Sequence, residues 1–454
     1  MFFPNNTKHK KKNPYALVLG GGGGKGAFQI GALRALEEIR IEFEAVSGAS
    51  VGALNAALVA MGDLDRAEEL WKSLSIDQIV VVPEGVIKEG KLDLSLKNLL
   101  KVRNAGRKIF KDFGFDTRPL RELISRYADE HRIRQSGIDL GIVTYDLSDF
   151  TPRELFLEDI PEGKLTDYLL ASASFPLFKR TEIDGKKFTD GGIYDNIPYG
   201  MIKERGYRRI IVIDVSGLGM NRRPNITGTD TIYIKNSIDI GGVLDFSKGF
   251  ITDFMRLGYL DTLKVFGRLS GIRYFYEEDE SLISLFAEIL GSEEGAVRAI
   301  LEASGKKTGG SSLAASIRSV LPKDMIRYRQ LIYCLSECAA FSLGIPQNER
   351  YTFSSFIARI EKRYRDARAT DVRSHEREYT IFFKALLEKP MEKDSEFCLY
   401  EYALALETLF SGEVANITRR ALEFIYSEIL PARIFFHLLT TAAGRKPLKW
   451  RREE

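Results

Sequence analysis

The chain has 454 residues, of which 44% are hydrophobic and 28% charged, so it is long enough for two globular domains with separate cores. Its formal net charge is only +3, which gives nucleic-acid binding no support. No uninterrupted apolar run of about 18 residues is present, so we predict no membrane span.

The N-terminal segment, residues 1–13, is basic and contains four lysines, at Lys8, Lys10, Lys11 and Lys12. Since it lacks the apolar stretch of a secretory signal, we expect a cytoplasmic protein. We predict that this segment is a disordered tail. The alternative that its lysines contact an anionic lipid surface, which would make the protein peripherally membrane-associated, stays open.

The three cysteines, Cys334, Cys338 and Cys398, all lie in the second half of the chain. Cys334 and Cys338 are four residues apart in an apolar helical stretch, with no histidine or further cysteine at the spacing of a metal site. We therefore predict buried free thiols and no metal site.

The first predicted unit is a strand, a glycine loop and a helix. The apolar strand Ala16–Leu19 runs into the loop Gly20–Gly26, and a helix with regularly spaced apolar residues follows. A phosphate-binding P-loop is excluded, because that motif needs glycine at the position of Leu19 and serine or threonine at the position of Gly26.

Two interpretations of this loop remain. The dinucleotide fingerprint G-x-G-x-x-G fits at Gly21, Gly23 and Gly26, with Glu42 or Glu44 near the distance of a ribose contact. Alternatively, the backbone N–H groups of the loop form an oxyanion hole, which stabilises the tetrahedral intermediate of acyl transfer.

The second unit places a serine at a sharp turn. Gly48, Ser50 and Gly52 fit G-x-S-x-G, between an apolar strand that ends near Val46 and a helix that continues to Met61. Glycines on both sides allow a cramped turn. The helix N-terminus favours negative charge beside the serine oxygen. Acyl transfer needs such a serine near an oxyanion hole, so this pairing favours a hydrolase over a nucleotide-binding domain.

A third unit ends a later strand with Asp190, followed by Gly191 and Gly192. Asp-Gly is also a common hairpin signal, so a plain turn is the default interpretation. A helix near 198–205 and an apolar strand at 210–215 complete an alternating order of strands and helices, which predicts an α/β fold.

Ser50 needs a proton acceptor, and the four histidines are poorly placed to serve. His9 lies in the basic tail, His131 lies in a charged segment, and His375 and His437 lie far along the helical second half. A carboxylate paired directly with Ser50 is the better chemical model, and Asp190 is the best placed acid. We expect the nearby Asp195 to be a turn or helix N-cap residue.

Taken together, Gly21–Gly26, Gly48–Gly52 and Asp190–Gly192 resemble, in order and approximate spacing, the three motifs of the patatin-like phospholipases. Ala171–Pro176 also resembles a stretch that precedes the aspartate in that family. The resemblance extends from about Asn13 to Gly217, with an extension to Phe266 left open. It implies a patatin-like, mostly parallel sheet flanked by helices.

The resemblance also implies the roles of individual residues and a lipid or other acyl ester as substrate. Ser50 would be the nucleophile and Asp190 the general base, with the amides of Gly22 and Gly23 as oxyanion hole and no cofactor. Lys25 stands where many members carry arginine, and it either attracts a lipid phosphate or is a solvated loop residue. The loop implied to bind substrate consists of Gly21, Gly22, Gly23, Gly24, Lys25 and Gly26.

From about Leu282 onward the chain is predicted to be almost entirely helical, and no catalytic constellation is evident there. We predict a basic tail over 1–13, an α/β hydrolytic domain over 14–272 and a smaller all-α domain over 273–454. The predicted function is lipid acyl hydrolysis by a serine and an aspartate through an acyl-enzyme. Two alternatives stay open: a nucleotide-binding oxidoreductase and a non-catalytic interaction protein that acts through its helical half. The sequence does not indicate an oligomeric state.

Overall fold

The computed structural model describes residues 14–81, 87–88, 90–92, 114–222, 224–238, 241–370, 398–409, 422–423 and 425–445. The fold consists of two compact units, the first ending at Phe266 and the second beginning at Gly267. The domain limits 14–272 and 273–454 stay a prediction. The predicted disordered tail, 1–13, lies outside the described residues, as do His9 and His375.

The first unit is built around an eight-stranded sheet with the order β10, β9, β1, β2, β5, β8, β7, in which β6 also pairs with β5. The strands β10, β9, β1, β2 and β5 are parallel to one another, whereas β6, β7 and β8 are attached in antiparallel fashion. The short strands β3 and β4 form a separate antiparallel pair. In chain order the strands are β1 (Tyr15–Leu19), β2 (Phe43–Ala49), β3 (Ile87–Lys88), β4 (Lys91–Leu92), β5 (Asp139–Asp146), β6 (Thr151–Phe156), β7 (Thr181–Ile183), β8 (Lys186–Asp190), β9 (Arg209–Asp214) and β10 (Asp230–Lys235).

Eight α-helices are described in this unit. They are α1 (Ala27–Glu38), α2 (Val51–Met61), α3 (Leu64–Ser73), α4 (Arg118–Tyr127), α5 (Glu130–Gln135), α6 (Leu165–Ser172), α7 (Tyr199–Glu204) and α8 (Lys248–Val265). The central strands are buried almost throughout, as expected for parallel strands covered on both faces. The predicted α/β class and mostly parallel sheet are confirmed.

The pairing of the central strands fixes where the predicted motifs meet. Leu19, the last residue of β1, pairs with Gly48 of β2, so the glycine loop and the serine turn begin side by side at the carboxyl ends of these two parallel strands. Ala49 pairs with Val143 of β5, and the next residue of β5, Thr144, pairs with Asp190. The ends of β2 and β8 are therefore neighbours across β5.

The second unit is helical, with α9 (Glu280–Ser292), α10 (Glu294–Ala303), α11 (Leu313–Arg318), α12 (Leu331–Ser342), α13 (Phe353–Ala369), α14 (Leu399–Leu409) and α15 (Ile429–Arg445). It departs from the all-α prediction in one pair of short parallel strands, β11 (Phe275–Glu277) and β12 (Arg350–Thr352). This pairing buries Tyr276, whose hydroxyl donates to Glu337 at 2.9 Å. The aromatic residues of β11 suit a strand, but its partner lies more than seventy residues away, so the sequence did not indicate the pairing.

The free thiols expected from the sequence are found: Cys334 and Cys338 are buried, and Cys398 is partly buried. Within the described ranges, no cluster of three or more His, Cys, Asp or Glu residues has the arrangement of a metal site. In the same part of the chain, no helix combines the length and the apolar character that a membrane span requires.

Candidate active site

Ser50 forms a strained elbow between β2 and α2. Its backbone has φ 55° and ψ -130°, in a region that side-chain-bearing residues seldom adopt. The two motif glycines are required by close backbone approaches: a Cβ at Gly48 would collide with the backbone of Gly52, and a Cβ at Gly52 would collide with the carbonyl oxygen of Leu19. The G-x-S-x-G spacing thus lets the turn fit between β1 and α2, with the partly exposed Ser50 at the start of α2.

Asp190 lies beside this elbow. The Ser50 hydroxyl lies near enough to the Asp190 carboxylate to stabilise its ionised form, and the amide of Gly192 donates to Asp190 Oδ1 at 2.8 Å. Gly191 passes so close to Val143 of β5 that a Cβ would collide with its carbonyl oxygen. Asp190 does not begin a hairpin: it ends β8, and a short 3₁₀ turn, Gly191–Ile193, follows.

Burial dominates the electrostatics of Asp190. The residue is only 5% exposed, and desolvation raises the pKa of its carboxyl from 3.8 to about 6. The Ser50 hydroxyl and the amide of Gly192 act in the opposite direction, because they stabilise the ionised form. At neutral pH the carboxyl is therefore ionised and a stronger base than an exposed aspartate.

Two amides of the glycine loop, those of Gly22 and Gly23, have no acceptor in the part of the chain that the structure describes. The neighbouring amides are all engaged: Gly20 with Ile213, Gly21 with Asn196, Gly24 with Val243 and Lys25 with Gly22, at 2.8–3.1 Å between nitrogen and oxygen. Free N–H groups beside a serine hydroxyl are the feature that an oxyanion hole requires.

The rest of the predicted substrate-binding loop lies beneath the surface of the site. Gly22 and Gly23 line the cavity described below, whereas Gly21, Gly24, Lys25 and Gly26 do not. Lys25 is 4% exposed, so its interpretation as a solvated loop residue is wrong. Gly26 faces the elbow, since a Cβ there would approach Val51 Cγ2 to 2.6 Å.

A cavity of about 290 Å³ opens beside Ser50 and Asp190. Its walls come from α2, α3, α4 and the loops that follow α6 and precede α8, and they are almost entirely apolar. The large apolar side chains that line it are Val51, Leu54, Leu58, Leu70, Trp71, Leu74, Ile79, Leu120, Leu123, Phe175, Phe178, Ile193, Leu218, Val243, Leu244 and Phe246. Ser50 and Asp190 therefore lie at one wall of an apolar cavity.

The elbow and the glycine loop are held by polar residues that the sequence analysis did not single out. Ser172 Oγ accepts from the amide of Ser50 at 3.0 Å and donates to the carbonyl of Val143 at 2.6 Å, which ties the elbow to β5. Ser172 lies within Ala171–Pro176, so the resemblance offered a signal for its importance but none for its contacts.

Asn196, on the segment that follows Asp190, is hydrogen-bonded to the glycine loop. Its carbonyl accepts from the amide of Gly21 at 3.0 Å, and its Nδ2 donates to the carbonyl of Gly21 at 3.1 Å. Its Oδ1 is buried and has no partner in the described ranges. The proximity of Asn196 to Gly21 and Gly192 fixes the two loops relative to each other.

A second network holds the ends of the glycine loop. Gln29 Nε2 donates to the carbonyl of Gly20 at 2.7 Å, and Asn55 Nδ2 donates to the carbonyl of Gly26 at 3.1 Å. Asn55 also donates to Gln29 Oε1 and accepts from the indole of Trp71. All three side chains are buried, so the loop backbone is anchored at both ends.

The competing candidates lie elsewhere. Glu42 and Glu44 are at the amino end of β2, whereas the glycine loop follows the carboxyl end of the parallel strand β1, so the structure does not bring them together. His131 is exposed and contacts Gln135. Asp195 accepts from the amide of Ile197, as expected of a turn residue, and lines a different cleft.

Comparison with known proteins gives the same family as the motifs. A sequence model of the family described as patatin-like phospholipase matches residues 17–202. Mouse patatin-like phospholipase domain-containing protein 7 is 28% identical over 206 residues, which are 45% of this chain and 14% of that protein. Human patatin-like phospholipase domain-containing protein 6 is 29% identical over 213 residues, 45% of this chain and 13% of that protein. Lysophospholipase nte1 of Aspergillus terreus is 27% identical over 208 residues, with 45% and 12% covered.

The chain thus matches about an eighth of the length of these relatives. Among solved structures, VipD from Legionella pneumophila aligns with 96% of this chain and 89% of its own, at 15% sequence identity and a TM-score of 0.35. The residues that carry the elbow, the glycine loop and the acid all fall inside the matched segment. Residues 17–202 thus match the patatin-like phospholipase family, and they include all three motifs.

Proposed function

We propose that this protein hydrolyses carboxylic ester bonds of lipids, with Ser50 as nucleophile and Asp190 as general base. The observation that carries the proposal is the juxtaposition of a serine hydroxyl, a buried carboxylate near it and two amides that have no acceptor in the described part of the chain, all at one apolar cavity. A nucleophile, a base and an oxyanion hole are the parts that acyl transfer needs.

In the first half of the reaction, the Asp190 carboxylate takes the Ser50 proton while Oγ bonds to the ester carbonyl carbon. The carbonyl oxygen becomes negatively charged and accepts hydrogen bonds from the amides of Gly22 and Gly23. The N-terminus of α2, for which Ser50 is the N-cap residue, adds favourable positive potential. When the tetrahedral intermediate collapses, the bond to the leaving alcohol breaks and Asp190 returns its proton to the departing oxygen.

In the second half, a water molecule attacks the acyl-enzyme. Asp190 takes one proton from the water as its oxygen bonds to the acyl carbon, and the same two amides stabilise the second oxyanion. The bond to Ser50 Oγ then breaks, Oγ recovers the proton, and a fatty acid leaves. One carboxylate thus serves both halves, and the cycle needs no histidine.

The cavity supports an apolar acyl group as the part of the substrate that the protein encloses. Its walls offer leucine, phenylalanine and tryptophan side chains, and the polar groups that line it cluster at the reacting end. Burial of an acyl chain there is favourable by about 0.8 kcal/mol for each methylene group removed from water. A polar head group would stay outside.

The experiment that tests the proposal is labelling of the purified protein with a fluorophosphonate, which reacts only with an activated serine. We expect the natural chain to be labelled and the Ser50→Ala variant to be unlabelled. Ser216→Ala is a matched control, because Ser216 also has a positive φ, of 51°, but its hydroxyl donates to Asn236 and not to a carboxylate.

Hydrolysis of a soluble monomeric ester, followed in the same three proteins, completes the test. Activity that disappears with Ser50→Ala and persists with Ser216→Ala would agree with the proposal. A folded natural chain that is neither labelled nor active would refute the proposed hydrolase activity. That result would favour the alternative of a non-catalytic interaction protein.

A further inference from the structure

Large apolar side chains are exposed at the mouth of the cavity. Leu218 is 68% exposed and Met220 is 59% exposed, both on the segment after β9, and Ile193 is 39% exposed in the turn after Asp190. We call residues 217–222 together with Ile193 the rim. Leu218 and Ile193 also line the cavity, so the apolar surface continues from the outside of the protein to Ser50.

The rim is held firmly in this position. The amide of Met220 donates to the carbonyl of Gly192 at 2.8 Å, and the carbonyl of Met220 accepts from the amide of Asn196 at 2.9 Å. Gly217 packs so tightly against Gly21 that a Cβ would collide with its carbonyl oxygen. Leu218 and Met220 are therefore held in exposed positions, since their backbone is anchored to the glycine loop and to the turn after Asp190.

A cation accompanies these apolar residues. Arg222 is exposed, and its guanidinium lies 4.5 Å from the ring centroid of Tyr194 and donates to the hydroxyl of that ring. It lines the neighbouring cleft together with Glu154 and Asp195, so part of its charge is balanced by these carboxylates. Exposed apolar side chains beside an arginine suit the boundary between acyl chains and phosphate groups of a bilayer.

The size of the rim argues against a protein partner. Three partly exposed side chains offer on the order of 300 Å², well below the about 800 Å² per partner that a stable protein interface buries. An area of this size is sufficient for interfacial binding to lipid, where each inserted side chain contributes without a matching partner surface.

We propose that the rim docks on the surface of a phospholipid bilayer, with Leu218 and Met220 inserted among the acyl chains and Arg222 beside anionic head groups. A lipid molecule then passes from the bilayer along Leu218 and Ile193 into the cavity. This inference rests on the proposed function for its purpose, but docking itself requires no turnover, so the two are tested separately.

The test measures co-sedimentation of the full chain with vesicles of phosphatidylcholine mixed with phosphatidylglycerol. All proteins carry Ser50→Ala so that the lipid stays intact. Leu218→Ser and Met220→Ser are each compared with the matched control Ile226→Ser. Ile226 is 56% exposed and belongs to the same β9–β10 connection, but it lies close to the amino end of β10 and so at the opposite end of the parallel strands. Thermal unfolding confirms that each variant is folded.

We expect Leu218→Ser and Met220→Ser each to lower the partition coefficient by about tenfold, and Ile226→Ser to leave it unchanged. The difference should persist at high salt, which screens the contribution of basic segments elsewhere. Equal partition of the rim variants and the control, or no binding of the parent protein to vesicles, would overturn the proposal. Self-association of the parent chain that Leu218→Ser abolishes, without vesicle binding, would likewise overturn it in favour of a second copy.

The two proposals fail in different ways. If the rim variants lose vesicle binding but the natural protein is not labelled by fluorophosphonate, the proposed docking surface is supported and the proposed hydrolase activity is refuted. Labelling and ester hydrolysis without any rim-dependent binding would leave the hydrolase and remove the docking surface.

Discussion

Replacement of Asp190 by asparagine is expected to lower activity and raise stability at the same time. Asparagine has nearly the same shape and can still accept from the amide of Gly192, but it cannot take a proton from Ser50. Loss of a general base lowers kcat by about 10²–10⁴-fold. Stability should rise because burial raises the pKa of the Asp190 carboxyl from 3.8 to about 6, which makes the ionised form costly in the folded protein.

The magnitude and sign of the stability effect follow from proton linkage. A pKa difference of roughly two units corresponds to about 3 kcal/mol. Between about pH 4 and about pH 6 the folded protein binds more protons at Asp190 than the unfolded chain does, so this group makes the natural protein less stable as the pH rises through that window. The gain from Asp190→Asn should therefore be small near pH 4 and reach about 3 kcal/mol above pH 7.

Denaturant unfolding of both proteins across this pH range measures the gain, with kcat on a soluble ester measured in parallel. In the natural protein, kcat/KM should rise with pH to a plateau, with a midpoint near the Asp190 pKa of about 6. A gain in stability that does not depend on pH, or an Asp190→Asn protein that is still labelled by fluorophosphonate, would refute the reasoning.

Asp195→Asn is the matched control for this pair of effects. Burial also raises the pKa of the Asp195 carboxyl to about 6, and asparagine can keep its contact with the amide of Ile197. Because Asp195 faces a different cleft, we expect a pH-dependent gain in stability of the same sign and unchanged hydrolysis. A loss of activity equal to that of Asp190→Asn would mean that the catalytic assignment is wrong.

Three further substitutions test the oxyanion loop, its support and the cavity. Gly23→Ala forces a methyl group onto the carbonyl of Val243 at a φ of 56°, so kcat should fall at least about a hundredfold and the melting temperature should drop. Asn196→Asp removes the donor to the carbonyl of Gly21 and should lower kcat by about tenfold with little change in KM. A change in KM as large as the change in kcat would contradict a positioning role. Leu120→Trp fills part of the cavity, so kcat/KM across esters of increasing acyl length should peak at a shorter chain than in the natural protein.

The local parts of the fold and site could be predicted from the sequence because local rules produce them. The turn at Ser50 depends on Gly48 and Gly52, two residues on either side, and the close approaches at both glycines explain why that spacing is needed. The parallel order of β1 and β2 places the glycine loop beside Ser50, and an alternating order of strands and helices predicts this arrangement.

The supporting contacts could not be predicted, because they join residues that are distant in the chain. Asn196 and Gly21 are 175 positions apart, and Ser172 and Ser50 are 122 positions apart. Such pairs exist only once the strands have been ordered, and here that order includes β6, β7 and β8, which attach in antiparallel fashion and were not expected from the alternating pattern. The burial of Lys25 follows from the same tertiary packing.

The absence of a histidine from the proposed mechanism places a demand on the environment of Asp190. An aspartate in water is a weak base, because its pKa lies far below neutral pH. Burial beside the apolar cavity raises the pKa and so strengthens the base, while the Gly192 amide and the Ser50 hydroxyl limit the rise and keep the carboxyl ionised. The apolar walls would thus bind the acyl chain and also set the basicity of Asp190, so a substitution that let water reach the carboxylate would weaken binding and catalysis together.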